Sequence, residues 1–300
     1  MMNKVFVLGS VNMDMVMQAE RMPLEGETIR GTGFLLNAGG KGANQAVAVK
    51  KSGGSLKFCA NVGDDVFGEQ LVNTLREYKV DTENVRTIAG TNSGLAQITV
   101  VNGGNRIILY GGANESLDAE AAEKFLAEAA KGDIFLTQLE IAPAVVLASL
   151  KTAKERGMQT ILNPAPAQNF RSEMLKFTDI IIPNEAEARC ISGKEEVEEA
   201  ARLMSEIVRE VIVTVGEKGC IYCCGNSLEA FPCPRVKVVD TTAAGDTFCG
   251  AFAARLSRGY SVKEAIGYAQ KAASLAVTKS GALQSIPSES EVLKTTFRIA

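Results

Sequence analysis

The chain has 300 residues, of which 46% are hydrophobic and 22% charged, and its formal net charge is −3. This composition is typical of a soluble globular protein, and without a block of basic residues or an apolar run of roughly 18 to 20 residues we expect no nucleic-acid or membrane partner and a cytoplasmic location. The sequence contains no histidine. Ser-His-Asp and Cys-His catalysis are therefore excluded, and proton transfer falls to Asp, Glu, Lys, Tyr or Cys.

Short β-branched runs alternate with amphipathic segments, as is typical of a parallel sheet covered by helices on both faces. The predicted strands are Val5–Leu8, Leu56–Ala60, Ile134–Thr137, Thr160–Leu162, Ile180–Ile182 and Val211–Val215. The predicted helices are Gly42–Lys51, Gly68–Tyr78, Ala119–Ala129, Ala144–Arg156, Glu185–Ile191, Val197–Ile207, Thr247–Arg258 and Val262–Thr278. We predict one α/β domain over residues 1–300, a three-layer sandwich with a mainly parallel central sheet.

Two further regions read as strands joined by turns rather than by helices. The strands predicted there are Met15–Met17, Thr28–Leu36, Leu95–Val101 and Arg106–Tyr110, the last two flanking the turn Asn102–Asn105. We predict that residues of about 14–38 and 94–111 form a small β-sheet lid, which would exclude water from a pocket. An edge sheet or a dimer contact is the alternative, and an exposed lid edge favours a homodimer.

The seven cysteines are odd in number and scattered, which suits reduced thiols. Cys220 and Cys223 form a Cys-x-x-Cys motif, but Cys220–Cys224 reads as a strand, on which side chains three apart face opposite sides. We therefore expect no metal or redox site at this motif.

Polar residues follow several of the predicted strands. Asn12 and Asp14 come after the first strand at a spacing of two, so both can project from one face into the crevice at its carboxyl end. An amide beside a carboxylate suits a polyhydroxylated ligand. Glu140, Asn184 and Glu187 follow later strands, although each alone could be a cap or a loop residue. Together they indicate one rim of the sheet as the ligand site.

A glycine-rich turn, Asn37–Ala46, precedes the first predicted helix. Its backbone amides could approach a ligand, and Lys41 adds positive charge. The segment is not a P-loop, because Gly42 rather than Ser or Thr follows Lys41. The first strand is not followed by Gly-x-Gly-x-x-Gly, which disfavours a dinucleotide-dependent oxidoreductase. A structural helix start remains the alternative.

Thr214–Gly219 forms another glycine-rich turn.

The segment Asp240–Gly250 sets a carboxylate among small residues, between a predicted strand at Arg235–Val239 and a predicted helix. The first-turn amides of such a helix lack intrahelical partners, and the small side chains of Ala243–Gly245 would let a phosphate approach them. Asp246 could take a proton from an attacking hydroxyl. The alternative is an aspartate that only complements the helix dipole. We interpret the segment as a phosphoryl-transfer site.

Three motifs, Gly39–Ala46, Pro183–Glu187 and Asp240–Asp246, together resemble those of the PfkB family of carbohydrate kinases. The likeness runs from Gly9 to Pro287, nearly the whole chain. It implies ATP-dependent phosphorylation of D-ribose at O5, with ATP, Mg²⁺ and K⁺ as cofactors. Catalysis would come mostly from positioning and electrostatic stabilisation.

The resemblance implies a role for each matching residue. The expected catalytic residues are Asp246 as general base and Ala243, Ala244, Gly245 and Asp246 as the anion hole. The expected sugar-binding residues are Asn12, Met13, Asp14, Gly40, Lys41, Gly42, Ala43, Asn44, Glu140 and Asp246. The expected nucleotide-binding residues are Asn184, Thr214, Val215, Gly216, Glu217, Lys218, Gly219, Gly245 and Gln270, with Glu187 in the magnesium network.

The resemblance also implies a potassium site beside the anion hole. The matching residues are Asp240 and Ser285 through their side chains and Thr242, Ala276, Lys279 and Gly281 through their carbonyl groups. Hard oxygen ligands suit K⁺. The family motif usually has glycine where Ala243 or Ala244 stands, which is a mild departure.

Two alternatives stay open at this point. The first is a kinase of the same family that acts on 2-deoxyribose, a ketohexose or a nucleoside. The second is a non-catalytic sugar or nucleotide sensor with the same fold. The intact set of Asp246, Gly245, Asn184 and Glu187 favours the enzyme, because a binding module needs no base beside an anion hole.

Overall fold

The computed structural model of the chain describes residues 2–102 and 104–296 and contains, within them, 13 strands and nine α-helices. The strands are β1 (Lys4–Leu8), β2 (Asn12–Gln18), β3 (Gly33–Gly39), β4 (Ser55–Gly63), β5 (Asn84–Ile88), β6 (Gly94–Val101), β7 (Gly104–Tyr110), β8 (Ile134–Thr137), β9 (Gln159–Leu162), β10 (Ile180–Ile181), β11 (Glu210–Thr214), β12 (Cys220–Cys224) and β13 (Ser227–Phe231). The helices are α1 (Lys41–Lys51), α2 (Val66–Glu77), α3 (Ala119–Leu126), α4 (Pro143–Glu155), α5 (Glu185–Ser192), α6 (Val197–Ser205), α7 (Ala244–Ser257), α8 (Val262–Ala276) and α9 (Glu289–Lys294).

Nine strands form the central sheet, in the order β13-β12-β11-β10-β9-β8-β1-β4-β5. All neighbours pair in parallel except β11 with β12 and β12 with β13, which are antiparallel. Helices cover both faces, because the inner parallel strands, such as β1 and β8, carry buried side chains on both sides. The predicted three-layer α/β sandwich with a mainly parallel sheet is confirmed.

Two hydrophobic cores lie on opposite faces of this sheet. Val5 and Val7 of β1 belong to one core, with α1, α7 and α8, whereas Phe6 and Leu8 belong to the other, with α3, α4 and α6. This division follows the two-residue period of a strand. The cysteines of the Cys-x-x-Cys motif divide in the same way, with Cys220 in the first core and Cys223 in the second. They cannot share one metal ion in this arrangement.

The small second sheet has four strands in the order β3-β2-β6-β7. In its register Asp14 pairs with Asn37 and with Ala96. Apolar side chains are exposed on it, among them Phe34, which is 51% exposed, and Ile108, which is 69% exposed. The predicted turn Asn102–Asn105 includes Gly103, which lies outside the described residues.

The structure corrects three details of the predicted elements. Arg235–Val239 is not a strand, because its alternation of valine and cationic residues meets no neighbouring strand, and Val239 instead donates its N–H to Val277 O at 2.8 Å. The strand predicted at Thr28–Leu36 begins only at Gly33. The strand predicted at Met15–Met17 begins already at Asn12, so that Asn12 and Asp14 lie at the start of β2. No helix within the described ranges is both long and apolar enough to cross a membrane.

Candidate active site

A cavity of about 210 Å³ lies where β9, β10 and β11 end and α1 and α7 begin. It is lined by Lys41, Asn163, Ala165, Ile182, Asn184, Glu187, Thr214, Thr241, Ala243, Ala244, Gly245, Asp246 and Cys249. The carboxyl ends of parallel strands are the usual ligand site of open α/β sheets. The structure thus brings together residues from four of the motifs that the sequence singled out.

The N-terminus of α7 forms one wall of the cavity. Ala243 has the left-handed conformation, with φ 59°, and turns the chain into the helix without a side-chain cap. The Ala244 N–H donates to Thr241 O at 3.2 Å, so this amide, which the sequence predicts as part of the anion hole, is already engaged. The amides of Gly245 and Asp246 have no partner among the described residues. Unpaired first-turn amides at a helix N-terminus attract anions.

Asp246 is buried, and its two carboxylate oxygens are held by neighbouring residues of α1. Asn44 Nδ2 donates to Oδ2 at 2.9 Å, and Gln45 Nε2 donates to Oδ1 at 3.1 Å. Asn44 Oδ1 is buried without a partner among the described residues. An unsatisfied buried acceptor is costly, which indicates that a ligand hydroxyl can donate to it.

A second cluster centres on Glu140. Its Oε2 accepts hydrogen bonds from Ser10 Oγ at 2.6 Å, Lys41 N at 3.1 Å and Asn12 Nδ2 at 3.4 Å. Asn114 Nδ2 donates to Asn12 Oδ1 at 2.7 Å and so fixes the orientation of that amide. Ser10 and Asn114 were not among the predicted site residues. Ser10 stands in the sequence between Gly9 and Asn12, within the region of family likeness, whereas no pattern in the sequence marks Asn114.

Asp14 lies beside this cluster and is buried. Burial, and then the charges of Glu140 and Asp246, raise its pKa to about 7. A Cβ on Gly39, on the adjacent strand, would lie 2.2 Å from Asp14 Oδ2, so any side chain there would displace this carboxylate. Gly40, the N-cap of α1, has φ 89°, a conformation that favours glycine.

Lys41 is the cation of the cavity. Burial lowers its pKa, but the charges of Asp246, Glu140 and Glu187 outweigh this effect and raise the pKa above its ordinary value. Burial raises the pKa of Glu187 above its ordinary value, although the hydrogen bond from the Asn184 N–H and the charge of Lys41 act to lower it. A protonated lysine beside three carboxylates offers one positive charge to an anionic ligand.

Asn184 and Glu187 form a capping box at the start of α5. Asn184 Oδ1 accepts the Glu187 N–H, and Glu187 Oε2 accepts the Asn184 N–H, both at 2.8 Å. Capping a helix is one of the structural roles that the sequence left open for each of these two residues. Both nevertheless line the cavity, and the second oxygen of Glu187 is not used by the box.

Two of the residues predicted for potassium, Thr242 and Gly281, contact Asp240. Its carboxylate accepts the Thr242 N–H and hydroxyl at 2.9 and 2.7 Å and the Gly281 N–H at 2.9 Å. Burial acts to raise the pKa of Asp240, but these hydrogen bonds hold it below its ordinary value. Ser285 is buried and donates its hydroxyl to Ala282 O at 2.8 Å. The donor set consists of oxygen atoms, which fits a hard monovalent cation.

Only some of the other predicted residues line the cavity. Thr214 lines it, whereas Val215, Gly216, Glu217, Lys218, Gly219 and Gln270 do not. Gly219 and Gln270 are nevertheless neighbours, since a Cβ on Gly219 would lie 2.9 Å from Gln270 Nε2. The side chains of Met13 and Ala43 lie in the first hydrophobic core, so only their main chains could contact a sugar. Gly42 packs against Ser10, where a Cβ would be 2.5 Å from the Ser10 nitrogen.

The model of the pfkB family of carbohydrate kinases matches residues 2–289. The chain belongs to this family, and the fold and the motifs around Asp246 define it as a carbohydrate kinase. A ribokinase from Lactococcus lactis subsp. lactis is 39% identical over 292 residues, which cover 97% of this chain and 96% of the relative. A deoxyribokinase from Salmonella typhi is 33% identical over 294 residues and 95% of each chain. The ribokinase from Arabidopsis thaliana complexed with ribose and ATP has a TM-score of 0.90, at 32% identity and 98% coverage of each chain.

Proposed function

We propose that this protein transfers the γ-phosphoryl group of ATP to O5 of D-ribose, with Asp246 as general base. The observation that carries the proposal is the position of Asp246, a buried carboxylate in the first turn of α7 on the wall of a cavity. Amides for the phosphoryl group line this cavity, and the polar residues proposed for a sugar adjoin it through Lys41 and Asn44. The similarity to ribokinases over nearly the whole chain supports the same activity.

In the proposed reaction Asp246 accepts the proton of the O5 hydroxyl as the oxygen attacks the γ-phosphorus. The new O5–P bond forms, the bond to the β,γ-bridging oxygen breaks, and ADP leaves with the electron pair. The amides of Gly245 and Asp246 and the ammonium group of Lys41 stabilise the negative charge on the transferring group. The protein supplies positioning and charge, and no covalent enzyme intermediate is required.

The polar cluster provides complementary donors and acceptors for the hydroxyl groups of a pentose. Asn114 occupies Asn12 Oδ1, so the Asn12 amide presents its NH₂ group as a donor. Asn44 Oδ1, the second oxygen of Glu140 and the ionised carboxylate of Asp14 are acceptors. The hydroxyls of ribose can donate to these acceptors and accept from Asn12, which favours a small hydroxyl-rich sugar.

Two metal ions complete the proposal. Mg²⁺, which typically binds through one or two carboxylates together with substrate phosphates, would be held near Glu187 and would neutralise charge on ATP. K⁺ would be held by the oxygen atoms around Asp240 and Ser285, with the carbonyl groups of Thr242, Ala276, Lys279 and Gly281. We propose that the turn Thr214–Gly219 and Gln270 bind the nucleotide next to the side of the cavity that Thr214 lines.

The lid sheet supports the proposal of a homodimer. Phe34 and Ile108 lie on one face of that sheet, while Leu35, Ile107 and Leu109 lie on the other, and all five are exposed. A sheet with apolar side chains on both faces has more apolar surface than one sugar pocket can cover. A second copy of this sheet is the partner that we propose. The cytoplasmic location and the lack of a nucleic-acid partner stay predictions from composition.

A panel of sugars in a coupled ADP-release assay tests the substrate. We expect the highest kcat/KM with D-ribose, a lower value with 2-deoxyribose, which lacks one hydroxyl partner, and little turnover with ketohexoses or nucleosides. The reaction with ribose should yield ribose 5-phosphate, identified by mass and by ³¹P NMR. Preference for 2-deoxyribose would support the function of the Salmonella typhi relative. Sugar or nucleotide binding without ADP release would instead support a sensor.

A further inference from the structure

We propose that Gln45 is a positioning residue for Asp246 and orients the carboxylate for proton transfer from the substrate hydroxyl. This inference rests on the proposed role of Asp246 as the base. Gln45 is fully buried on α1, and its Nε2 donates to Asp246 Oδ1 and to Asn163 Oδ1, both at 3.1 Å. Its Oε1 accepts from Gln138 Nε2 at 2.6 Å. Three buried amides thus form one chain that ends at the carboxylate.

The direction of this chain is set by a main-chain carbonyl. Asn163 Nδ2 donates to Ile182 O at 2.9 Å, and a carbonyl oxygen can only accept. The Oδ1 of Asn163 must therefore face Gln45. Because this oxygen accepts, the side-chain group of Gln45 that faces it must be the NH₂ group. The same NH₂ group then faces Asp246. The network fixes the amide orientations and delivers a donor to Asp246.

Gln45 has no hydrogen-bonding donor left for a substrate. Both hydrogens of its NH₂ group and its oxygen are engaged with protein groups. Asn44, its neighbour in the chain, differs because its Oδ1 is without a partner among the described residues. We therefore separate the two residues: Asn44 contacts both base and sugar, whereas Gln45 acts only through Asp246.

The packing of α1 against α7 brings Gln45 within reach of Asp246. Gly250 stands one turn after Asp246, and a Cβ at Gly250 would lie 2.4 Å from Gln45 O and 2.5 Å from Ala48 Cβ. Only glycine allows the two helices to approach this closely. Gly9 makes room at the other end of the chain of amides, since its Cβ would lie 2.0 Å from Gln138 Oε1.

The consequence for the base follows from its lone pairs. A carboxylate has about four acceptor positions, two on each oxygen. Gln45 uses one on Oδ1 and Asn44 uses one on Oδ2, so an acceptor position remains on each oxygen. Two donated hydrogen bonds fix the plane of the carboxylate and direct the two free acceptor positions.

The test replaces Gln45 by methionine, which keeps the length of the side chain and removes both donors. We expect Gln45→Met to lower kcat about 10- to 100-fold, the size of a lost hydrogen bond to a charged group, with KM for ribose and ATP changed by less than about threefold. Gln45→Glu, which puts an acceptor beside the carboxylate, should lose more at neutral pH than Gln45→Met.

Asn61→Leu is the matched control. Asn61 is also fully buried, on β4, and its amide contacts Arg86 rather than the active site. It should lower the melting temperature while leaving kcat and its pH profile unchanged. If Gln45→Met does not fold, Gln138→Met removes the donor to Gln45 Oε1. A smaller fall in kcat should follow, again with little change in KM.

A Gln45→Met enzyme, or in its place a folded Gln138→Met enzyme, with the wild-type kcat would overturn the inference. A loss of activity only in proportion to the unfolded fraction would overturn it as well. This failure differs from failure of the proposed base, because Asp246→Asn would then still abolish turnover. Normal turnover by Asp246→Asn would instead remove the base itself.

Discussion

The Thr247 N–H donates to Ala243 O at 2.8 Å, so the hydrogen bonds of α7 begin at a residue in the left-handed conformation. This conformation costs an alanine roughly 1–2 kcal/mol relative to the right-handed region. The turn directs the neighbouring amides of Gly245 and Asp246 at the cavity, and the strain is located at the proposed anion hole. Strained backbone at functional sites is held in place by the surrounding structure.

Ala243→Gly should relieve this strain. We expect stabilisation by roughly 0.5–1 kcal/mol, because glycine adopts positive φ at no steric cost but loses more chain entropy on folding. Chemical denaturation measures the difference. Ala244→Gly is the matched control, and it should destabilise the protein because Ala244 is the first residue of α7. Equal effects of the two substitutions would contradict the assignment of strain to Ala243.

Asp246→Asn tests the base directly. The amide keeps the shape of the side chain and cannot accept the proton, so we expect turnover to fall roughly 10²- to 10⁴-fold. Steady-state kinetics with ribose and ATP measures the loss, and circular dichroism checks that the fold is kept. Near-normal turnover with a native spectrum would show that another group accepts the proton.

The buried Asp14 predicts a pH dependence. Its carboxylate accepts sugar hydroxyls with both oxygens only when ionised, and its pKa in the free protein is raised to about 7. As the pH falls through about 7, the group becomes protonated and kcat/KM for ribose should fall, by about tenfold per pH unit well below that point. Asp14→Asn should have a low kcat/KM that lacks this dependence. A wild-type profile that is flat between about pH 6 and 8 would contradict the role of Asp14.

The oxygen atoms around Asp240 predict activation by K⁺. Replacing Na⁺ by K⁺ at constant ionic strength should raise kcat/KM roughly tenfold, because an ion of matching size orders the turn that precedes the anion hole. Asp240→Asn should abolish the difference between the salts. The melting temperature gives a second readout, which should rise with K⁺ in the wild type alone. Identical rates in both salts would remove the cation site.

The exposed apolar residues of the lid predict a dimer that one charge can break. Ile108→Lys should convert the dimer to a monomer, as measured by light scattering after gel filtration, because a lysine buried in an apolar interface has no partner. Val66→Lys is the matched control, since Val66 is 71% exposed on α2, outside the lid. A wild-type protein that is monomeric at micromolar concentration would refute the proposal.

The sequence predicts the fold well because buried parallel strands and amphipathic helices have distinct periods. It misses β5 and β13, whose residues are half polar because both strands lie at an edge of the central sheet. It wrongly predicts a strand at Arg235–Val239, because the period of two records alternating exposure and not the presence of a neighbour to pair with. The predicted start of α7 is three residues late, since its first turn is made of small residues without a pattern.

The candidate site is predicted in part. The proposed base and the cavity residues of three motifs stand next to glycines or strand ends, and local sequence marks them. No local sequence pattern predicts the buried amide side chains that hydrogen-bond around them. Gln45 and its partner Asn163 are 118 positions apart, and Val11 and its partner Asn114 are 103 apart. Contacts at this separation depend on how helices and strands pack, and single-sequence patterns contain no information on that packing.

The pairing of β1 with β8 has a consequence for the precision of the sugar site. Leu8 is opposite Thr137, and two and three residues later the chain carries Ser10 and Glu140, whose side chains meet at 2.6 Å. A slip of one residue between these strands would displace one partner by about 3.3 Å and turn its side chains to the opposite face. Mispaired chains would therefore lose both hydrophobic cores and the proposed sugar pocket in a single step. Any molecule with a correctly folded centre already has Ser10 and Glu140 aligned.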